Sequence, residues 1–165
     1  KILSQEPVAG VPLAAGQPLT LTVSGGTTLT LQVNFANLIQ LDSANLPTDQ
    51  LKRGDTLNVT LFWHAEHSIP TPYTVFVHMI GPAGLTQQID TEPGGGSNPT
   101  TRWPVNALIA DQYSLQIPTT APNGEYQLRV GLYPSGQPFS RLPVVDAGQT
   151  TADNNSILIK TISVR

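Results

Sequence analysis

Alternation of apolar and polar residues is the dominant pattern along this chain. Between residues 56 and 63, Leu57, Val59 and Leu61 fall on one face of an extended chain, while Thr56, Asn58 and Thr60 fall on the other. This period of two predicts a β-strand with one buried face. No long segment shows the 3.6-residue period of an amphipathic helix, so the pattern predicts an all-β protein.

Further strands are predicted where β-branched and aromatic runs are bounded by glycine and proline. Segment 73–80 is apolar on both faces, which indicates a central position in its sheet. The turn signal at residues 81–84 predicts that segment 85–90 returns antiparallel to it. The remaining predicted strands of this region cover residues 37–46, 107–117, 125–133, 142–145 and 157–164.

The N-terminal part predicts a separate β element. Residues 1–17 mix proline, glycine and alanine with little periodicity, which is typical of an extended lead-in. Segments 19–23 and 29–33 both alternate, and the Gly25-Gly26 pair between them predicts a hairpin turn. We therefore assign residues 1–35 to a lead-in and hairpin packed on the same domain, and residues 36–165 to the main β-domain.

A corner motif narrows the fold class. Pro122, Asn123 and Gly124 place Tyr126 at the start of a strand directly after a tight turn. A tyrosine at this place is typical of immunoglobulin-like sandwiches, where its hydroxyl bonds back to upstream backbone. The chain of 165 residues suits a single such domain. The prediction is an immunoglobulin-like antiparallel β-sandwich with an N-terminal hairpin extension.

Composition limits the partners and the compartment. Only 12% of the residues are charged and the net charge is -3, so there is no basic surface for nucleic acid. The absence of cysteine removes disulfides, thiolate metal sites and cysteine nucleophiles. Polarity from threonine, glutamine, asparagine and serine, with 15 prolines and 14 glycines, is common outside the cytoplasm. We therefore expect an extracytoplasmic or cell-surface domain.

The sequence contains no predicted membrane helix or signal peptide. No apolar run approaches the roughly 20 residues of a membrane helix. The chain starts at Lys1 without a methionine, and no signal-peptide apolar region follows it. We expect a soluble piece of a longer protein, whose other parts could include a membrane anchor.

Five motifs together carry a family resemblance. They span about three quarters of the chain: residues 53–57 with Trp63, 73–78, 95–103, 111–113, and 124–126 through 131–133. In these motifs the chain resembles a β-sandwich domain found C-terminal to the membrane regions of glycosyltransferase-like and uncharacterised surface proteins, especially of filamentous green bacteria. The resemblance implies an extracytoplasmic, non-catalytic module without an established ligand.

The chain departs from that family after Trp103. The family pattern has a Pro-Gly-Glu turn there, whereas residues 104–107 read Pro-Val-Asn-Ala. Asn106 tolerates the left-handed backbone that glycine would supply, so the turn can persist. The carboxylate of the glutamate is lost, and with it any role of that group.

Two kinds of metal site are conceivable. The histidines His64 and His78 could form one with Asp90 or Glu66, but a hydrogen-bonded histidine is the more ordinary outcome in an apolar run. Calcium could bind Asp90, Glu92 and Asp111 near the carbonyl-rich Gly94-Gly95-Gly96 loop. No compact Asp-rich spacing is present, and the alternative is that these carboxylates cap turns and hold the loop. We expect no cofactor.

Catalysis has little support in the residues. Asp90, Glu92, Asp111 and Glu125 are the only plausible pool for a glycosidase pair, and nothing in the sequence brings two of them together. A serine route lacks the Gly-x-Ser-x-Gly elbow. The isolated domain is therefore expected not to be an enzyme.

Carbohydrate binding is the leading specific function. Sandwich modules stack sugar rings on exposed aromatics while amide and charged side chains meet the hydroxyls. The candidate ligand-binding residues are Trp103 on the glycine-rich loop with Asn98, Arg102 and Gln112. For Trp103 burial in the core is an equal alternative, and for Trp63 it is the favoured one. The competing function is a spacer or a contact with another surface protein.

Overall fold

The chain folds into two packed β-sheets. The computed structural model describes residues 2–6, 20–23 and 26–165, the first two segments as backbone only. The strands are β1 (Ile2–Glu6), β2 (Thr20–Val23), β3 (Thr27–Phe35), β4 (Ile39–Leu46), β5 (Gln50–Leu51), β6 (Thr56–Ala65), β7 (Tyr73–Gly81), β8 (Gly84–Thr91), β9 (Ile109–Gln116), β10 (Gly124–Pro134), β11 (Val144–Asp146), β12 (Ala152–Asp153) and β13 (Ser156–Val164). Two short 3-10 turns, Pro93–Gly96 and Thr100–Arg102, lie between β8 and β9.

The two sheets have the connectivity expected of an immunoglobulin-like sandwich. One has five strands in the order β11-β3-β4-β6-β9, and the other has the order β12-β13-β10-β7-β8. β5 adds to the second sheet by pairing in parallel with β13, and the other pairs are antiparallel. Among the longer strands, β3, β4, β6 and β9 form the first sheet and β7, β8, β10 and β13 the second, so the chain crosses between the sheets from β6 to β7, from β8 to β9 and from β9 to β10; the short strands β5 and β11 add further crossings. The predicted fold class is confirmed.

Alternation determines which side chains form the core. Leu57, Val59, Leu61 and Trp63 of β6 are all buried, as predicted. Strand β7 has a partner on each side, β10 and β8, as predicted for a central strand. Its Val75 and Val77 lie in the core between the sheets, whereas Phe76 points to the outer face and is buried there.

The predicted N-terminal hairpin is wrong in its pairing. β2 pairs with β1, from Ile2 opposite Val23 to Glu6 opposite Thr20, whereas β3 pairs with β4 and β11 in the five-stranded sheet. Alternation marks which face of a strand is buried but does not select its neighbour, and β4 offers β3 a partner of eight residues. The N-terminal extension is therefore a β1-β2 pair. β3 is itself a strand of the sandwich, Gly25 lies outside the described residues, and the packing of residues 1–25 on the sandwich stays a prediction.

The tyrosine corner is present. The hydroxyl of Tyr126 donates to the carbonyl oxygen of Pro122 at 2.6 Å, and its ring is buried against Gly81. A Cβ at position 81 would overlap that ring, so the glycine makes the close approach possible. The corner therefore ties the start of β10 to the end of β7.

Removing the Tyr126 hydroxyl should lower the stability of the domain by a measurable amount. Tyr126→Phe should lower the free energy of unfolding by about 1–2 kcal/mol, because a carbonyl is left without its donor. Urea unfolding followed by fluorescence measures the change. Tyr73→Phe is the matched control, because the Tyr73 hydroxyl has no hydrogen-bond partner among the described residues. Equal losses in the two variants would mean that the corner bond contributes nothing.

Candidate ligand-binding end of the sandwich

One end of the sandwich collects the long loops. Strand register places the turn 36–38, the loops 66–72, 92–108 and 135–143, and the turn 154–155 at this end, which we call the loop end. Thr27 and Arg165 lie at the opposite end, since Thr27 pairs with Leu46 and Arg165 bonds to Leu51. The loop end is therefore the part of the sandwich farthest from where the described chain enters and leaves it.

Hydrogen bonds tie the loops of this end to each other. The amide of Tyr73 donates to the buried hydroxyl of Thr100 at 3.0 Å, and the amide of Ser135 donates to the carbonyl of Pro72 at 2.9 Å. Further along, the Asn106 amide donates to the carbonyl of Ala65 at 2.8 Å. The loops consequently form a connected surface, and a ligand would meet groups that are already in place.

Trp103 belongs to the core. It is only 4% exposed, its ring centroid lies 6.5 Å from that of Trp63, and its Nε1 donates to the carbonyl of Asn98 at 3.1 Å. Of the two alternatives for this residue, the structure supports burial. Trp103 pins the 92–108 loop to the sandwich, and its ring face is not open to a sugar.

The other residues predicted with Trp103 do not assemble around an open ring. Arg102 is exposed beside it in the loop, and Gln112 is exposed on β9 opposite Thr60. Asn98 is half-buried, and its contact with Trp103 uses the main-chain carbonyl. The sequence thus identified the loop, but a sugar site built on Trp103 requires an exposed face that this ring does not have.

Asp111 holds the glycine-rich turn. It is 2% exposed, its Oδ1 accepts the Gly94 amide at 2.9 Å, and its Oδ2 accepts the Tyr113 hydroxyl at 2.5 Å. Burial raises the pKa of the Asp111 carboxyl, and the two hydrogen bonds offset part of that rise. Burial and the neighbouring carboxylate also raise the pKa of Tyr113. The predicted alternative of a loop-holding carboxylate describes this arrangement.

The raised pKa of Asp111 sets a pH dependence. Because the pKa is higher in the folded than in the unfolded state, the contribution of this group is fully present at low pH and is lost as pH rises through the folded pKa. Asp111→Asn keeps an acceptor for Gly94 without ionising. Relative to the unsubstituted protein, the variant should therefore gain stability as pH rises from below 3.8, the ordinary aspartate pKa, through the raised pKa of the folded state. Urea midpoints across this range test it, and a constant difference would contradict the burial of an ionisable group.

The carboxylates proposed for calcium are separated. Asp90 lies on β8 in one sheet and Asp111 on β9 in the other, and both oxygens of Asp111 are occupied by donors. Glu92 follows β8, where its main-chain carbonyl accepts the Gly96 amide. Within residues 26–165, no group of three or more histidine, aspartate or glutamate side chains could hold a metal ion.

The histidines likewise have separate partners. His64 on β6 lies 2.8 Å from Asp42, and His78 on β7 lies 3.2 Å from Asp90, measured between ring nitrogen and carboxylate oxygen. The two strands belong to different sheets, so the structure does not bring His64 and His78 together, and the favoured alternative of a hydrogen-bonded histidine describes His78. Consecutive strands in the chain need not be neighbours in a sandwich, and this crossover is what the sequence reasoning missed.

A second group of side chains lies on the outer face of the six-stranded sheet near the loop end. We call Phe76, His78, Asp90, Tyr133 and Arg141 the outer-face cluster. The Phe76 ring is 4.7 Å from His78 and 6.3 Å from Tyr133 between centroids, and the Arg141 guanidinium stands 4.6 Å above it. Gly131, opposite Phe76 on β10, leaves the space that this ring fills.

Asp90 connects the polar members of the cluster. Its Oδ2 accepts the Tyr133 hydroxyl at 3.1 Å, and its Oδ1 lies 3.2 Å from His78 Nε2. Burial, followed by the neighbouring Asp90 carboxylate, raises the pKa of Tyr133 above its ordinary value. The Asp90 side chain is still 27% exposed, which leaves its oxygens open to further donors from solution.

The exposed apolar surface is concentrated at the loop end. Phe139 is 100% exposed and lies two residues before Arg141. Val105 and Leu108 in the 92–108 loop and Val145 on β11 are also exposed, whereas Leu85 lies in the β7–β8 hairpin at the other end. The sequence reasoning missed Phe76, Tyr133, Phe139 and Arg141. The two-sided apolar pattern of β7 was the available signal for Phe76.

Comparisons with known proteins give distant structural likenesses. No protein-family model matches the chain, and no curated protein matches it. A Niemann-Pick type C2 protein from the Japanese carpenter ant superposes with a TM-score of 0.41 at 4% identity, over 70% of this chain and 79% of that one. The CARDB domain of a Pyrococcus furiosus protein, solved with di-metal ions, gives 0.38 at 10% identity, over 87% and 96%. At these scores neither likeness carries an argument about function.

In the described part of the chain, no helix is long and apolar enough to cross a membrane.

Proposed function

We propose that this chain is a non-catalytic accessory module of a protein that works outside the cytoplasm, and that it binds carbohydrate. The observation that carries the proposal is the fully exposed ring of Phe139, two residues before Arg141 in a cluster that offers a carboxylate, an imidazole and a guanidinium. An exposed ring can stack on the C–H face of a sugar, and the polar groups can bond its hydroxyls. The low content of charged residues supports an extracytoplasmic location.

The non-catalytic part of the proposal is supported by where the carboxylates lie. Asp111 is enclosed by Gly94 and Tyr113, and Asp90 lies on the opposite sheet with His78 and Tyr133. Neither is paired with a second carboxylate across an open cleft, which is the arrangement that glycoside hydrolysis needs. Their contacts are those of groups that hold structure or bind hydroxyls.

A contact with another surface protein is the second candidate function. The exposed aliphatic side chains Val105 and Leu108 favour it, because aliphatic surface contributes to protein contacts and offers no ring for a sugar. Under this alternative the loop end serves as a docking surface or the domain as a spacer. Carbohydrate binding requires the Phe139 ring, whereas a protein contact would also use Leu108.

A thermal-shift screen separates these candidates. A ligand that binds only the folded state stabilises it and so raises the melting temperature. At a ligand concentration of 100 Kd the free energy of unfolding increases by about 2.7 kcal/mol. We expect a shift with at least one glycan in a panel of plant, bacterial and animal polysaccharide fragments. Phe139→Ala should abolish that shift without changing the melting temperature of the free domain, since the ring is fully exposed. Leu85→Ala, an exposed apolar residue at the other end, should leave it intact.

The screen can also contradict the proposal. No shift with any glycan would leave protein contact or spacing as the function. A shift that persists in Phe139→Ala would place the sugar elsewhere on the domain.

A further inference from the structure

Two arginines on the outer face of the six-stranded sheet have no carboxylate partner. The ion pairs of the described residues are His64–Asp42, His78–Asp90 and Lys160–Asp49, and neither Arg129 nor Arg141 lies within 4.0 Å of a carboxylate oxygen of these residues. Arg129 is buried and donates to Ser156 and to the side chain of Gln127. Three of its five N–H donors are engaged in these hydrogen bonds.

Arg141 is the arginine that a ligand can reach. It is half-buried, stacks on Phe76 at 4.6 Å, and donates one bond, from Nη1 to the carbonyl of Asn154 at 2.9 Å. A guanidinium has five N–H donors, so the described residues leave most of them unused. The ring below and the carbonyl beside it hold the group in one orientation, which lowers the entropy lost when a ligand binds.

Arg141 has no ion-pair partner among the described residues. Asp90 is the carboxylate of the outer-face cluster, and its oxygens already meet Tyr133 and His78. Asp153 is exposed on β12, next to the turn that holds Arg141, and lies beyond ion-pair distance. Arg141 is therefore a partly exposed guanidinium for which the described residues supply one hydrogen bond and no ion pair.

We infer that the carbohydrate bound by this module carries carboxylate groups, as in a uronic-acid glycan, and that Arg141 binds a sugar carboxylate through its free N–H donors. This inference rests on the proposed carbohydrate binding. A planar guanidinium matches a carboxylate with two parallel hydrogen bonds, which neutral hydroxyls cannot reproduce. Phe139, two residues before Arg141, would stack the sugar ring whose carboxylate Arg141 holds.

The test compares uronic-acid oligomers with their own methyl esters. Oligogalacturonate, oligomannuronate and oligoglucuronate are titrated into the domain by calorimetry, each as free acid and as methyl ester. At least one free acid should bind about tenfold or more tighter than its ester, because the ester keeps the ring and hydroxyls but loses the charge. Arg141→Gln should remove this preference, so that the free acid and its ester bind the variant with similar affinity.

Two further variants keep the result interpretable. Arg141→Lys retains the charge without the planar fork and should keep only part of the preference. Lys52→Gln removes one positive charge at the opposite end and should change nothing. Urea unfolding of each variant shows whether it is folded, since Arg141 also covers Phe76.

Each failure has a distinct meaning. Equal binding of acids and esters would overturn the inference while the proposed carbohydrate binding stands. Equal or tighter binding of dextran sulfate would also overturn it, by showing attraction to any polyanion. If only neutral glycans bind, Arg141 binds no sugar carboxylate and the inference is overturned. If no glycan of any kind binds, the proposed function fails and the inference fails with it.

Discussion

Trp63→Ala is expected to lower the free energy of unfolding by about 3–5 kcal/mol, the largest single effect in the domain. Trp63 is fully buried on β6, with its ring centroid 6.0 Å from that of Phe35 and 6.5 Å from that of Trp103. Alanine would leave a cavity between the five-stranded sheet and the 92–108 loop. Trp103 packs beside Trp63 and holds that loop on the sandwich. The lost free energy of unfolding should therefore include part of the energy that anchors the loop. Chemical unfolding measures it.

Trp63→Phe is the graded control for this prediction. Among buried side-chain polar atoms of the described residues, the Trp63 Nε1 is the one without a hydrogen-bond partner. Phenylalanine therefore removes ring volume but no hydrogen bond, and should cost less than alanine. Trp103→Phe removes both ring volume and the bond to Asn98. A loss below about 1 kcal/mol for Trp63→Ala would contradict the core described above.

Gly131→Ala should destabilise the domain by about 1–3 kcal/mol, although alanine is the smallest possible addition. A Cβ at position 131 would overlap the Phe76 ring and the main-chain oxygen of Asn155. Either the ring tilts away from Arg141 or the turn 154–155 moves, and both changes disturb the outer-face cluster. Urea unfolding gives the loss, and glycan affinity should fall in the same variant.

A double-mutant cycle identifies the source of that cost. Combining Gly131→Ala with Phe76→Leu replaces the ring that would overlap the new Cβ, so the two changes should cost less together than the sum of their separate losses. Simple additivity would show that the overlap with Asn155 alone decides the result. A stabilising effect of Gly131→Ala would contradict the close packing of Phe76 on β10.

The fold could be predicted from the sequence because its burial pattern is local. Alternation in β6 and the two-sided apolar pattern of β7 indicate which faces of these strands are buried. Gly124, two residues before Tyr126, indicates the corner. Pairing could not be predicted in the same way. β2 and β3 both alternate beside a pair of glycines, yet they belong to different sheets, since neither face pattern specifies an edge partner.

The candidate site was predictable only to the level of a loop. The glycine-rich segment before Trp103 did mark the loop end, but whether the ring points inward depends on Trp63 and Asn98, which are distant or main-chain partners. The outer-face cluster combines β7, β8, β10 and the loop that holds Arg141. No spacing in the sequence reports that convergence, because it arises from strand order and register.

The most direct test of carbohydrate binding at this face is a titration followed by amide NMR. A glycan that stabilises the domain is added stepwise to isotope-labelled protein, and the shifted amides are mapped. Binding at the proposed site predicts that the shifts cluster at residues 76–78, 88–90, 131–133 and 139–141. Shifts concentrated at residues 47–55 and 118–123, at the opposite end, or no saturable shifts at all, would contradict it.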